Sequence, residues 1–124
     1  MLLNILKKRR AERVKPLSEK PVEVQMMSTG SIDILKAFDI SVNGIGVQTP
    51  TTYDIECKQQ NVDLVITLPG VRPFQATGVV RHVSNGKKVE KCFGVEFVQI
   101  GDKNIANIED YMDKTKEERL AIAV

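Results

Sequence analysis

Two short segments hold the residues whose types and spacing suit chemistry. The first is Lys7-Lys8-Arg9-Arg10-Ala11-Glu12-Arg13. Arg9 and Arg13 are four residues apart, so on a helical or turn-like arm both guanidiniums project from one side. A guanidinium offers planar, paired donors that match a phosphate or the Hoogsteen edge of guanine, and it stacks on a purine face. Arg10 adds charge within reach of a phosphate. The second segment is Asp39-Ile40-Ser41-Val42-Asn43-Gly44. Asp39 is an acceptor for the N1 and N2 protons of guanine, a contact that adenine cannot copy. The Ser41 hydroxyl suits a phosphate oxygen. Asn43 tolerates a left-handed turn, and Gly44 lets the chain bend while a ligand comes close. On spacing alone this second segment is equally a plain strand-ending turn.

Charge separates the two segments. Residues 1–20 carry seven Lys or Arg against two Glu, a local charge of +5, whereas residues 21–124 carry −3. A basic arm expects an anionic partner, or else serves as a solubilising tail. Its like charges repel, and it has little apolar material to anchor it. The arm is therefore expected to be mobile without a ligand.

The elements that must position these groups read mostly as strands. Val22 to Met26 alternates apolar and polar residues. In Ile32 to Ile40, the residues Ile32, Ile34, Lys36 and Phe38 fall on alternate positions. Ile45 to Thr49 follows the Ser41–Gly44 turn. Val62 to Leu68, Phe74 to Val83 and Val89 to Val98 complete about six strands, with Gly78 as an expected bulge. Asn85-Gly86 signals a hairpin. Residues 51–61 have no clear assignment. Short strands at this spacing predict a closed barrel or a sandwich. Ile105, Ile108 and Met112 then form one apolar stripe of a C-terminal helix that covers the barrel. That helix runs toward Leu120 and the apolar tail Ala121-Ile122-Ala123-Val124.

Catalytic chemistry is sparse. His82 is the single histidine, and it stands inside a strand. No nucleophile elbow or Walker loop occurs, and Gly44-Ile45-Gly46 lacks the third glycine of a dinucleotide fingerprint. Cys57 and Cys92 form no metal-ligand pattern, and no cluster of His, Cys and carboxylates has metal spacing. We therefore expect a binding protein and no enzyme, metal or cofactor. The apolar opening Met1–Leu6 is far short of the roughly 20 residues that cross a bilayer, and its basic residues follow it. A cytoplasmic chain with reduced thiols and no membrane insertion is expected.

Taken together, Arg9-x-x-x-Arg13 and Asp39-x-Ser41-x-x-Gly44 resemble the PilZ domain family. Pro21-Val22-Glu23-Val24 looks like that family's first strand, Ile45-Gly46-Val47 like the strand after its motif, and Phe93–Phe97 like its last barrel strand. The similarity spans about residues 9–112. It implies a mainly β fold: a six-stranded antiparallel barrel with a basic N-terminal arm and a C-terminal α-helix. The implied boundaries are 1–20 for the arm and linker, 21–100 for the barrel, and 101–124 for the helix and tail. It also implies a bacterial receptor for cyclic di-GMP that acts in motility or biofilm regulation through a further protein partner. The implied ligand-binding residues are Arg9, Arg10, Arg13, Asp39, Ser41, Asn43 and Gly44, with the ligand pinning the arm to the barrel. Two alternatives remain: a protein-interaction module on the same fold that binds no nucleotide, and a small nucleic-acid-binding barrel. The absence of Trp and the scattered Phe and Tyr argue against the second, which needs stacking platforms.

Overall fold

The computed structural model describes residues 12–28, 31–50, 61–85 and 90–123. Six strands form: β1 (Glu23–Ser28), β2 (Ser31–Ile40), β3 (Gly44–Pro50), β4 (Asn61–Thr67), β5 (Phe74–Asn85) and β6 (Glu90–Gln99). One helix follows, α1 (Asp102–Ala123). The strands pair antiparallel and close into a barrel in the order β1-β2-β3-β6-β5-β4, with β4 returning to β1. Closure gives every strand a neighbour on each side, although among the described residues the start of β2 (residues 31–35) pairs with β1 alone and the end of β5 (residues 80–85) with β6 alone. Each strand is found within two residues of its expected limits. The hairpin residues 86–89 and the unassigned segment 51–60 lie outside the described residues.

Alternation along the strands builds the core. Val24 and Met26 of β1, Ile45 and Val47 of β3, Leu64 and Ile66 of β4, and Phe93 and Val95 of β6 are all essentially inaccessible to water. The β-branched residues among them suit a pleated, packed surface. β2 turns the face carrying Leu35 and Ala37 to the core, so Ile32 and Ile34 stand outside, each 66% exposed. The expected irregularity at Gly78 is present: the β5–β6 register shifts between Thr77 and Gly78. Pro69-Gly70 makes the turn after β4, with Gly70 at φ 74°, a conformation open to glycine at no steric cost.

The helix adds Ile108, Tyr111 and Met112 to the same core, with Thr115 buried on the same face. These positions follow the i, i+3, i+4, i+7 spacing of one helical stripe. The segment expected to be an apolar tail continues as helix to Ala123. Leu120 and Ile122 are exposed there.

One expectation is corrected. Residues 12–20 are not an unanchored arm. Val14 and Leu17 are buried, and Val14 exchanges both backbone hydrogen bonds with Ile40, each at 2.9 Å. Lys116 of α1 donates to Glu12 at 2.6 Å, Lys20 donates to Glu118 at 2.8 Å, and Arg119 donates to the carbonyls of Lys15 and Pro16. Two apolar side chains and a strand-like bridge outweigh the mutual repulsion of the cations. Residues 1–11 lie outside the described residues.

Candidate functional site

The site begins with an irregularity in β2. The β2–β3 register shifts between Ala37 and Asp39, so Phe38 is the extra residue of a β-bulge. Before the bulge, odd-numbered residues such as Leu35 face inward; after it, Ile40 does. An uninterrupted strand would have aimed Asp39 into the apolar core. The bulge turns it outward instead, opposite Gly46 of β3.

There Asp39 meets the arm. Arg13 Nη1 donates to Asp39 Oδ1 at 2.6 Å, a charge-assisted bond. The Val14–Ile40 bridge lies one residue along both chains and sets their approach. Asp39 is mostly covered, with 17% of its side chain exposed, while Arg13 keeps 44%. The guanidinium therefore presents part of its donor fork to solvent. Next to it, the Lys15 ammonium sits 4.8 Å from the centre of the Phe38 ring, within cation–π range.

Beyond Asp39 two glycines meet on the barrel surface. Gly46 pairs with Gly94 of β6, so two adjacent strands present glycine at facing positions. Arg13, Phe38, Asp39, Gly46, Cys92, Phe93 and Gly94 line an open depression of about 170 Å³. It combines a cation, a carboxylate and a floor with no side chains at its glycines. Such a surface can take a flat, anionic, hydrogen-bonding molecule.

The turn after Asp39 is a support. Ser41 is 1% exposed. Its hydroxyl accepts from the Asn43 amide at 3.2 Å and donates to the Gly44 carbonyl at 3.4 Å. The Ser41 amide also donates to that carbonyl, at 2.9 Å. The Asn43 carbonyl in turn accepts from the Phe97 amide at 2.8 Å, tying the turn to β6. A Cβ at Gly44 would run into the Val95 carbonyl, so glycine permits the close approach of β3 to β6. The Ser41 hydroxyl, expected to suit a phosphate oxygen, is here buried and engaged by its own turn.

The structure brings Arg13 and Asp39 together and places Ser41, Asn43 and Gly44 in the turn beneath them. Arg9 and Arg10 lie outside the described residues. Reading the sequence missed Phe38, Gly46 and Gly94. Gly46 was visible only as half of an incomplete glycine motif, and a bulge has no sequence signature of its own here. Among the described residues, no three His, Cys, Asp or Glu side chains gather as a metal site, and no helix is long and apolar enough to cross a membrane.

Comparisons with known proteins place the fold. No curated protein sequence gives a significant match. Solved structures do match. The PilZ domain of YcgR from Escherichia coli, determined with c-di-GMP, superposes with a TM-score of 0.74 at 15% identity, covering 94% of this chain and 97% of that one. The Bacillus subtilis inhibitor of motility MotI/DgrA gives 0.75 at 18% identity over 90% of this chain and 52% of that one. The K. pneumonia MrkH–c-di-GMP complex gives 0.77 at 16% identity, covering 91% and 54%. The chain thus spans about half the length of the latter two, and at these identities the likeness is one of fold. The model of the PilZ domain matches residues 7–114, from the basic arm through the barrel and into α1. With that match spanning nearly the whole chain, and with the barrel and helix the family implies, this protein belongs to the PilZ domain family.

Proposed function

We propose that this chain is a cyclic di-GMP receptor that binds without catalysis, with Arg13 and Asp39 at the centre of its site. The observation that carries the reading is the Arg13–Asp39 pair at the rim of the glycine floor. A guanidinium with part of its fork in solvent suits a phosphate or a guanine edge, and a carboxylate suits the protonated edge of guanine. The solved relatives in complex with c-di-GMP, YcgR and MrkH, support the ligand's identity. Arg9 and Arg10 supply further donors from the arm. Ser41, Asn43 and Gly44 hold the turn that keeps Asp39 in place.

Residues 12–20 are already docked, so ligand-driven ordering concerns the arm ahead of Glu12 together with the Arg13 side chain. A rearrangement there reaches α1 through Glu12–Lys116 and through Arg119 on the Lys15 and Pro16 carbonyls. A downstream protein in the cytoplasm then reads the combined surface of arm, ligand and helix. Calorimetric titration of the purified chain tests the reading. Binding of cyclic di-GMP with wild-type protein and weakened binding with Arg13→Ala support it; no binding at about 100 μM ligand, well above the range of a specific site, overturns it.

A second reading has one observation of its own. Leu17, Leu120 and Ile122 line an apolar hollow beside Lys116 and Arg119. A protein-interaction module would use such a surface whether or not nucleotide binds.

A further inference from the structure

We infer that Gly46, outside both arginine and Asp-Ser-Gly motifs, is a positioning residue that sets the carboxylate of Asp39. Gly46 faces Asp39 directly across the β2–β3 ladder. The side chain of Asp39 folds over this glycine: a Cβ at position 46 would lie 2.5 Å from Asp39 Oδ1 and 3.2 Å from its Cγ. Oδ1 is also the atom that accepts from Arg13. The space left empty by a missing methyl is therefore the space in which the ion pair is made.

The identity of the obstructing atom decides what a substitution does. At Gly44 a new Cβ would meet the backbone of β6, so the barrel itself would have to move. At Gly46 the nearest backbone atom, the Asp39 amide nitrogen, is 3.7 Å away, at ordinary van der Waals distance. Only the end of a rotatable side chain is in the way. Alanine at position 46 leaves the strands paired and forces the carboxylate off its present rotamer, away from Arg13. Gly46 thus acts on the ligand through Asp39. Asp39 is sent outward by the bulge at Phe38, and Gly46 then gives it room to lie flat and turn toward the arm.

The ligand part of the test rests on the receptor reading, and a second measurement does not. Gly46→Ala, Asp39→Ala and the double variant are titrated with cyclic di-GMP, and the Asp39 carboxyl carbon is followed by NMR in ligand-free Gly46→Ala and Arg13→Ala. We expect Gly46→Ala to weaken binding by ~10-fold or more, as loss of a charge-assisted contact does. The double variant should bind no worse than Asp39→Ala alone, because the lost effect runs through one side chain. In Gly46→Ala the Asp39 carboxyl resonance should move toward its position in Arg13→Ala, while the melting temperature stays near that of wild type. The inference fails if Gly46→Ala costs affinity equally in the Asp39→Ala background, or if the carboxyl resonance does not move. Should Gly46→Ala fold poorly, restored folding in the double variant supports the inference and continued misfolding overturns it. If wild-type protein does not bind cyclic di-GMP, the receptor reading falls alone and the resonance judges Gly46.

Discussion

Arg13 and Asp39 are 26 positions apart in sequence and 2.6 Å apart in space, joined by a single charge-assisted hydrogen bond. The pair fastens the arm to the barrel at the point where β2 bulges. It unites the two segments whose residue types suited a nucleotide, and it holds both side chains beside the same depression. A ligand at the proposed site would therefore share or replace a contact that already exists.

Removing the arginine should weaken the proposed site sharply. Arg13→Ala is expected to cost about 2–4 kcal/mol of cyclic di-GMP binding, roughly 30- to 1,000-fold, because a phosphate or base edge loses its cation and Asp39 loses its partner. Calorimetry reads this directly. An affinity within twofold of wild type would remove Arg13 from the site. Stability should change little, since a half-exposed ion pair contributes only about 0–1 kcal/mol.

Asp39 should govern which base is accepted. Asp39→Ala is expected to narrow the preference for cyclic di-GMP over cyclic di-AMP by roughly 1–3 kcal/mol, the usual worth of a paired base-edge contact. Parallel titrations with the two dinucleotides measure it. Equal losses for both ligands would show that Asp39 only steers Arg13 and does not read guanine.

Val14 should connect arm docking to binding. It is 4% exposed and forms the bridge to Ile40. Val14→Ala is expected to lower unfolding stability by about 1–3 kcal/mol through lost burial and the cavity left behind. It should also weaken ligand binding, because Arg13 is the neighbouring residue. Urea melts and titrations of the same variant test both halves. Full affinity in a destabilised protein would separate arm docking from the site.

Stability should fall at alkaline pH. Burial raises the pKa of Tyr111 above the ordinary phenol value, and this outweighs the opposing effects of Thr115 and Arg119. Lys116 is raised first by its hydrogen bond with Glu12, and Lys20 by its hydrogen bond with Glu118. In each case the folded chain holds the proton more tightly than the unfolded one. The stabilisation is thus fully present below the unfolded pKa and is lost as pH rises through the folded pKa. The two lysines are exposed and add little. Thermal melts from neutral to strongly alkaline pH should show the decline, and Tyr111→Phe should flatten it. An unchanged slope in that variant would remove Tyr111 as the cause.

Much of this protein was legible in its residues. Alternation in β1, β3 and β4, the Pro69-Gly70 turn and the Ile108–Met112 spacing are local signals. They depend on side-chain periods and turn propensities that each segment carries by itself. The two motifs were legible for the same reason, since they are short and chemically distinctive. Where Ser41 would point was not. Its hydroxyl suits a ligand by type, and the fold buries it under the turn with backbone partners.

What the sequence by itself determined is the set of strands and helix, the kind of groups available for binding, and the family resemblance. Only the tertiary structure decided where those groups stand. Strict alternation would put Asp39 on the same face as Leu35, which the fold turns inward, and a single extra residue at Phe38 reverses that. Charge alone predicts a loose arm, and burial of Val14 and Leu17 docks it. The carboxylate finds Arg13 because Gly46, seven residues further along the chain, has no Cβ to block it. A bulge, a docking surface and an empty volume are relations between distant segments. They come from packing, which no single stretch of chain encodes.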